Sequence, residues 1–260
     1  CRLRRSHPQK PIALWLHIHP GRHNRQMGLR LAGANINVIC VSKSHCESLK
    51  HFLPEEDIPT ISHIYNPIDD NLAADQTPRD MNRLFFCSSP HKGLKQVLAQ
   101  FERLRERMPE LTLEVADPGY LSWDVGPIPD GVLLRGRLPH DRLIARLRRS
   151  LCLFYPQDSF AETFGLVIAE ANAVGTPALV QRKLGANDEV TCTADQLIEA
   201  KNVDQLEARI RKWQRNFPHL KTDGRFRLSH IADHWDTLLS NMVSSPPAGH
   251  AVGEYEEAKN

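Results

Sequence analysis

The sequence predicts an α/β protein built on parallel strands, and two observations lead to this class. First, short apolar runs end at loops containing glycine or proline, as residues 151–155 do at Pro156. An unbroken apolar run of this length is typical of a strand buried on both faces of a parallel sheet. Second, stretches with apolar residues at helical spacing follow such runs, as over residues 94–104. Strands that alternate with amphipathic helices form βαβ units and therefore parallel sheets.

Composition excludes several classes of function. With 33 Lys and Arg against 31 Asp and Glu, the formal net charge is +2, which does not predict a nucleic-acid partner. The six cysteines contain no Cys-x-x-Cys pair, which favours a reducing cytosol. No run is long enough to span a membrane and no signal-type stretch follows the basic start, so we expect a cytoplasmic protein. The arginine-rich segment 142–149 leaves peripheral contact with the inner face of a membrane as an alternative.

The amino-terminal region is predicted to contain three strands and a helix. The strands are expected over residues 12–16, 37–41 and 60–65, and a Pro-Gly loop follows the first of them. Ser42 is a suitable N-cap for a helix that runs to about residue 52. The polar, proline-containing segment 67–80 then has the composition of a linker.

Three histidines cluster around the first of these loops. His17 and His19 fall on one side of an extended chain, and His23 is close in sequence. No cysteine or carboxylate accompanies them, so we expect no metal site. A loop histidine without any function is the alternative interpretation.

The carboxyl-terminal region repeats the pattern of strand, loop and helix. Further strands are expected over 83–87, 111–115 and 132–135. Helices are expected over 94–104, over 203–216 and over 229–242, and another helix is expected to begin within 138–143. The last residues, 244–260, are rich in Pro, Gly, Ala and Glu and are expected to be disordered.

Two loop-to-helix junctions in this region favour binding of a phosphate. After the strand at 151–155, a polar loop reaches Gly165 and a helix is expected from about Phe164, so Glu162 lies on the loop and Glu170 on the helix. Unpaired N–H groups at a helix N-terminus favour an anion, and carboxylates beside it suit hydroxyl groups. The alternative is a solvent-facing Glu170 with Glu162 as an ordinary helix-start acid.

The second junction is Ser88-Ser-Pro-His-Lys-Gly93, which leads into the helix at 94–104. Lys92 supplies a compact positive charge on a flexible stem beside the helix start, which suits a phosphate. A surface lysine that merely follows a turn is the alternative.

The two carboxylates have Glu-x7-Glu spacing and are followed by Ala-Asn-Ala-Val-Gly-Thr-Pro. This stretch resembles the donor-site motif of the retaining family-four glycosyltransferases with the GT-B fold. The resemblance implies a GT-B-like α/β fold: a Rossmann-like, parallel-sheet carboxyl domain at 81–228 and a truncated amino-terminal α/β domain at 1–66. A crossing helix at 229–243 would return to the amino domain.

The resemblance also implies roles for individual residues. Glu162 would accept hydrogen bonds from the donor sugar, Glu170 from the ribose, and Lys92 would neutralise the diphosphate. Loop histidine His19, or His17, would contact the transferred sugar. The remaining substrate-binding residues would hold the diphosphate or the base, and they are Phe164, Gly165, Leu166, Ser88, Ser89, Gly93, Arg135 and Gly136.

The chain departs from the family's pattern at two places. Asn66-Pro-Ile-Asp69 stands where the family has Asn-Gly-x-Asp, and Pro67 cannot provide the N–H or positive φ of glycine. Cys87, Ser88 and Ser89 stand where many members carry an arginine, so hydroxyl and N–H groups would have to hold the diphosphate there.

The function expected from the resemblance is sugar transfer from a nucleotide diphosphate sugar to a hydroxyl acceptor, a glycan or lipid-linked saccharide, with anomeric retention and without a metal or other cofactor. One alternative is a sugar phosphorylase with the same fold. The other is a non-catalytic nucleotide-sugar-binding subunit. The segment 1–66 is short for a complete acceptor-side domain, so we expect a fragment, or a subunit completed by a partner chain, that transfers sugar poorly by itself.

Overall fold

The chain folds around two parallel sheets. The structure is a computed structural model that describes residues 2–21, 27, 31, 35–53, 58–119 and 124–244. In the described residues, one sheet has three strands and the other has six. The predicted α/β class is therefore confirmed.

The smaller sheet lies in the amino-terminal region. It has the order β1-β2-β3, formed by Ala13–Trp15, Asn37–Cys40 and Thr60–His63, and every pairing is parallel. Helix α1 (Arg2–Ser6) precedes it, and α2 (Lys43–Phe52) connects β2 to β3. The central strand β2 is buried, and its Val38 and Cys40 pack with Leu49 of α2 in a small hydrophobic core.

The larger sheet contains the main hydrophobic core. Its strands are β4 (Asp80–Cys87), β5 (Thr112–Ala116), β6 (Val132–Gly136), β7 (Ser150–Tyr155), β8 (Ala178–Gln181) and β9 (Leu197–Ile198). Their helices are α3 (Leu94–Arg105), α4 (His140–Arg148), α5 (Leu166–Ala173), α6 (Asn187–Val190), α7 (Val203–Arg215) and α8 (Leu228–Ser244). Short 3-10 helices lie at Ala194–Gln196 and Gly224–Phe226.

The strand order places a ligand crevice at the middle of the larger sheet. The order is β6-β5-β4-β7-β8-β9, so the chain turns to opposite sides after β4 and after β7. In parallel sheets, ligands bind at the carboxyl ends of strands where the order switches. The loops that leave β4 and β7 are the two junctions that the sequence marked for phosphate.

Most predicted elements are present, with different ends. The helix expected from about Phe164 begins at Leu166, because Gly165 is in the left-handed conformation and caps the helix. The two-residue strand β9 was not predicted. Helix α8 covers the helix expected at the carboxyl end, and its Trp235 packs edge-on against Trp15 of β1 at 5.2 Å. The predicted disordered end, from residue 245 onward, lies outside the described residues.

None of the described helices is both long enough and apolar enough to cross a membrane.

Candidate functional site

The start of α5 opens into a cavity at the switch point. All six residues of β7 are buried, and the chain leaves the sheet at Pro156. Gly165 has φ +92° and no side chain caps the helix, so the first N–H groups of α5 are left for another partner. A side chain at Gly165 would approach Ile168 Cδ1 to 3.0 Å in a conformation that L-residues rarely adopt. The local sequence therefore keeps this helix end bare.

The loop that joins β4 to α3 lines the same cavity through Ser88, Ser89 and Lys92. Helix α3 begins behind this loop: the N–H of Leu94 donates to the carbonyl of Pro90 at 3.1 Å, and a Cβ at Gly93, which has φ +90°, would lie 2.7 Å from Gln157 Cβ. In the loop, the hydroxyl of Ser89 lines the cavity, is buried, and has no hydrogen-bond partner within the described residues. A buried hydroxyl without a partner costs free energy, and an oxyanion in the cavity would supply that partner.

This first cavity has a volume of about 350 Å³, and we call it the donor cavity because the resemblance implies that a sugar donor would bind here. It is lined by Asn66, Cys87, Ser88, Ser89, Lys92, Ala116, Asp117, Pro118, Leu138, Leu143, Glu162, Thr163, Phe164, Gly165, Leu166 and Val167. The lining combines charged and polar groups with the apolar side chains of Leu138 and Leu143. Such a lining suits a ligand with an anionic part and a flat or apolar part.

Lys92 and Glu162 form an ion pair at the rim of this cavity. The ammonium of Lys92 lies 3.0 Å from each carboxylate oxygen of Glu162. Glu162 is only 6% exposed, and the hydroxyl of Tyr155 also donates to its Oε1 at 3.1 Å. Burial raises the pKa of Tyr155 well above its usual value, and the charge of Glu162 adds to the rise. Tyr155 therefore stays a protonated donor at neutral pH.

Glu170 lies beside the cavity, within hydrogen-bonding distance of His140. His140 Nε2 is 2.8 Å from Glu170 Oε1, and Glu170 does not itself line the cavity. Burial raises the pKa of Glu170, while the hydrogen bond to His140 opposes the rise. Burial raises the pKa of the cavity-lining Cys87, and the charge of Glu170 adds to the rise.

A second cavity, which we call the acceptor cavity, lies between the two sheets and has a volume of about 740 Å³. It shares Lys92, Glu162 and Thr163 with the donor cavity. Its other lining residues are His17, Ile18, His19, Ser44, Ser48, His91, Ser159, Phe160, Ala161 and Gly185. The ion pair is thus reached from both cavities.

His19 is brought into the acceptor cavity by residues of α2. Its Nδ1 lies 3.2 Å from the hydroxyl of Ser48, and its ring packs edge-on against His45 at 5.1 Å. Burial lowers the pKa of His19, and the backbone and charge of Glu162 oppose that shift.

His45 holds the loop that carries His19. Its Nδ1 accepts from the backbone N–H of Val41 at 3.4 Å, so Nε2 carries the proton and donates to the carbonyl of Ile18 at 2.9 Å. Burial lowers the pKa of His45 to about 4. His45 is therefore a neutral, structural histidine.

The start of α2 is occupied by the protein itself. Ser42 caps the helix by accepting from the N–H of His45, and its hydroxyl donates to the carbonyl of Thr163 at 2.6 Å. The carboxylate of Glu189 accepts from the N–H groups of Lys43 and Ser44 at 3.0 and 3.2 Å. This contact fixes the two sheets relative to each other.

The structure gathers most of the residues singled out in the sequence. Lys92, Glu162, Ser88, Ser89, Phe164, Gly165 and Leu166 line the donor cavity, and His17 and His19 line the acceptor cavity. Four others line neither cavity, and Glu170, which lies beside the donor cavity, is one of them. The guanidinium of Arg135 binds the buried carboxylate of Glu114 at 2.7 Å, Gly136 accepts from the N–H of Asp117 through its carbonyl, and Gly93 packs against Gln157.

Sequence reasoning missed several residues of this region. Tyr155 and His140 contact the two glutamates, and Asp117, Leu138 and Leu143 line the donor cavity. Tyr155 lies in an apolar run, which predicts a buried strand but does not indicate a role for its hydroxyl group. His140 could have been found from its place in the first turn of a predicted helix that faces the same sheet edge as Glu170.

Among the described residues, no group of three or more His, Cys, Asp or Glu side chains is arranged so that it could hold a metal ion. His23, the third member of the histidine cluster, lies outside the described residues.

The fold and the two cavities define an α/β protein of the GT-B type, with its ligand crevice at a strand switch point. Residues 88–222 match the model of the family described as glycosyl transferases group 1, which is more than half of the chain. The chain belongs to this family. The resemblance seen in the Glu-x7-Glu stretch is thereby confirmed.

Among curated proteins, the chain is similar to glycogen synthase from two strains of Mycobacterium tuberculosis. It is 36% identical over 104 residues, which are 38% of this chain and 24% of the relative. The matched part thus spans about a quarter of the length of those relatives.

Solved structures share the fold at low sequence identity. Sucrose-phosphate synthase from Thermosynechococcus elongatus superposes with a TM-score of 0.67 at 16% identity, over 89% of this chain and 67% of that one. An α,α-trehalose-phosphate synthase from Burkholderia vietnamiensis gives 0.66 at 12%, over 93% and 69%. The pneumococcal O-GlcNAc transferase GtfA, in complex with UDP and GlcNAc, gives 0.62 at 14%, over 94% and 55%.

Proposed function

We propose that the chain binds a nucleotide diphosphate sugar in the donor cavity and transfers the sugar to a hydroxyl acceptor with retention of configuration. The observation that carries this proposal is the convergence of the uncapped start of α5, Lys92 and the buried hydroxyl of Ser89 on one cavity. Each of these groups favours an anion, and together they fit a diphosphate. Family membership supports the same class of reaction.

The rest of the donor fits the groups around the diphosphate seat. Glu170 is a charged acceptor for the ribose hydroxyls, oriented by His140 at 2.8 Å. The apolar end of the cavity, with Leu138 and Leu143, receives the base. Glu162 accepts hydrogen bonds from sugar hydroxyls, which a carboxylate holds more strongly than a neutral group would.

Transfer depends on stabilising charge that grows on the leaving phosphate. As the glycosidic bond loosens, the ammonium of Lys92 and the N–H groups of α5 meet more negative charge than in the ground state, and this difference accelerates the step. The acceptor hydroxyl approaches from the acceptor cavity on the same face. The departing phosphate takes its proton, so no protein nucleophile is needed.

The acceptor cavity has the size and chemistry for a saccharide. His17 and His19 are shifted toward their neutral forms by burial, and Ser44 and Ser48 add hydroxyl groups. Neutral donors and acceptors of this kind suit sugar hydroxyls. We propose a glycan or lipid-linked saccharide as acceptor, with a hexose as the transferred sugar.

In this proposal the two sheets correspond to two domains. Residues 1–66 form the acceptor-side region, 67–80 the linker, 81–228 the donor-binding domain and 229–243 the crossing helix.

The proposal is tested by binding and turnover with UDP, GDP, ADP and their glucose or mannose conjugates. We expect one nucleoside diphosphate to raise the melting temperature, because a ligand that binds only the folded state stabilises it. Glu170→Gln keeps the shape, removes the charge, and is expected to weaken that binding by about 1 to 2 kcal/mol.

The matched control is Glu102→Gln, which removes a charge from an exposed position of α3. It is expected to leave the affinity unchanged. If no nucleotide shifts the melting temperature at millimolar concentration, the donor cavity is not a nucleotide site. Turnover with inorganic phosphate in place of a nucleotide sugar would indicate a phosphorylase. Binding without turnover, for every combination of nucleotide sugar and acceptor, would indicate a non-catalytic subunit.

A further inference from the structure

The side chain of Glu162 makes three hydrogen bonds, and they come from two residues of different mobility. Lys92 binds both oxygens at 3.0 Å, and Tyr155 binds Oε1 at 3.1 Å. The side chain of Lys92 is 26% exposed and sits on a flexible stem at the rim of both cavities. Tyr155 is 1% exposed, lies on the buried strand β7, and packs edge-on against Phe86 at 5.6 Å. Only one of the two partners can move freely.

The backbone of Glu162 is fixed from the other side. Ala186 donates its N–H to the carbonyl of Glu162 at 3.0 Å. Gly185 packs so closely that a Cβ there would lie 2.8 Å from the N of Glu162. A loop residue whose carbonyl and nitrogen are both held in this way keeps its side chain in one region of space.

The proposed function makes conflicting demands on Lys92. In the structure its ammonium neutralises Glu162, whereas in the donor complex it must neutralise the diphosphate. A compact ammonium that turns to the phosphate gives up hydrogen bonds to the carboxylate. Glu162 would then be a buried carboxylate without its cation, at the moment when it must point at the sugar hydroxyls.

We propose that Tyr155 is the positioning residue that keeps Glu162 aimed at the donor sugar once Lys92 has turned to the diphosphate. This assignment rests on the proposed function. The hydroxyl of Tyr155 occupies one lone pair of Oε1 from the sheet side, which leaves Oε2 and the rest of Oε1 directed at the cavities. When the donor binds, Glu162 therefore loses its hydrogen bonds from Lys92 and gains hydrogen bonds from the sugar hydroxyls. Its hydrogen bond from Tyr155 remains.

The test separates recognition of the sugar from recognition of the nucleotide. Tyr155→Phe keeps the ring and removes only the hydroxyl. By calorimetry, we expect it to lower the affinity for the nucleotide sugar, chosen from UDP-glucose, GDP-mannose and ADP-glucose, by about tenfold, the equivalent of one hydrogen bond to a charged group. Affinity for the corresponding UDP, GDP or ADP is expected to fall by less, because the diphosphate takes Lys92 from Glu162 but makes no hydrogen bond to that carboxylate itself.

A matched control is available elsewhere in the chain. Tyr65 is also buried and donates to a carboxylate, Glu189 Oε1, at 2.7 Å. Tyr65→Phe removes a hydrogen bond of the same kind away from the ion pair, so both affinities should be unchanged, and the melting temperatures of the two variants show the purely structural cost.

The double variant Tyr155→Phe with Glu162→Gln decides whether the tyrosine acts through Glu162. We expect Tyr155→Phe to have no further effect in the Glu162→Gln background. The assignment is overturned if Tyr155→Phe weakens the affinity for the nucleoside diphosphate and for the nucleotide sugar equally, or if it changes both no more than Tyr65→Phe does. It is also overturned if Tyr155→Phe has its full effect in the Glu162→Gln background. In each of these cases nucleotide binding itself still stands. If no nucleotide binds the unchanged chain, the proposed function falls and the assignment falls with it.

Discussion

The helix starts of α2 and α5 lie close together and are used in opposite ways. At α2, Ser42 caps the helix and the carboxylate of Glu189 binds two of its free N–H groups. At α5, Gly165 provides no cap and the N–H groups face the donor cavity. The Ser42 hydroxyl even donates to the carbonyl of Thr163, in the loop that leads into α5. One helix end is closed by contacts within the protein that join the two sheets, and the other is left open toward the donor cavity.

The difference arises from single residues. Serine at an N-cap satisfies a backbone N–H with its own side chain, whereas a left-handed glycine leaves those groups free. A negative charge is favoured at either helix end. At α2 the protein supplies that charge through Glu189, and at α5 we propose that the substrate supplies it.

The start of α2, which the protein itself closes, is expected to make the free energy of unfolding depend on pH. We expect this effect to be larger than the effect at α5. His45 is the third residue of α2, and burial lowers its pKa from 6.5 to about 4. The unfolded chain therefore binds more protons than the folded chain between these values. The contribution of neutral His45 to the free energy of unfolding is expected to be fully present above pH 6.5. It is expected to fall by about 2 to 3 kcal/mol as the pH drops toward 4.

Urea unfolding between pH 4 and pH 7 measures this loss. His45→Gln should remove that part of the pH dependence, while His51→Gln, at an exposed position of the same helix, should keep it. An equal fall with pH in His45→Gln and in the unchanged chain would show that His45 is not its source.

At the start of α5, which has no cap, a substitution is expected to change the affinity for a nucleoside diphosphate. Gly165→Ala places a side chain at φ +92° and 3.0 Å from Ile168 Cδ1, which costs about 1 to 2 kcal/mol or turns the N–H groups away from the cavity. Nucleoside diphosphate affinity is expected to fall about tenfold. Gly126→Ala is the control, because Gly126 has φ +80° and open space around it.

Gly126→Ala should therefore show the strain without the loss of affinity. Calorimetry on the two variants provides the comparison. If both lose affinity equally, the conformation of Gly165 has no special relation to the ligand.

The comparison also shows what could be predicted from the sequence. The start of α5 follows from local signals, namely a buried strand, a glycine and a helical pattern within a few residues, and so does the Ser42 cap of α2. The contact of Glu189 with Lys43 and Ser44 joins residues about 145 positions apart, and no local pattern encodes such a pairing. The same holds for the pair formed by Lys92 and Glu162.

Two features that the sequence did not predict have simpler physical causes. The strand β9 has only two residues, too few for a periodic signal. The guanidinium of Arg135 binds the fully buried Glu114, because a buried carboxylate must be neutralised. The sequence shows neither the burial of Glu114 nor the direction of Arg135.

The most direct test of the central claim is hydrogen–deuterium exchange with and without the nucleoside diphosphate that binds. We expect the nucleotide to slow exchange in the two segments that line the donor cavity, residues 88–92 and 163–167, and to leave the already bonded residues 42–46 unchanged. Slower exchange only around residues 42–46, or no change in either cavity-lining segment under saturating nucleotide, would contradict the proposed site.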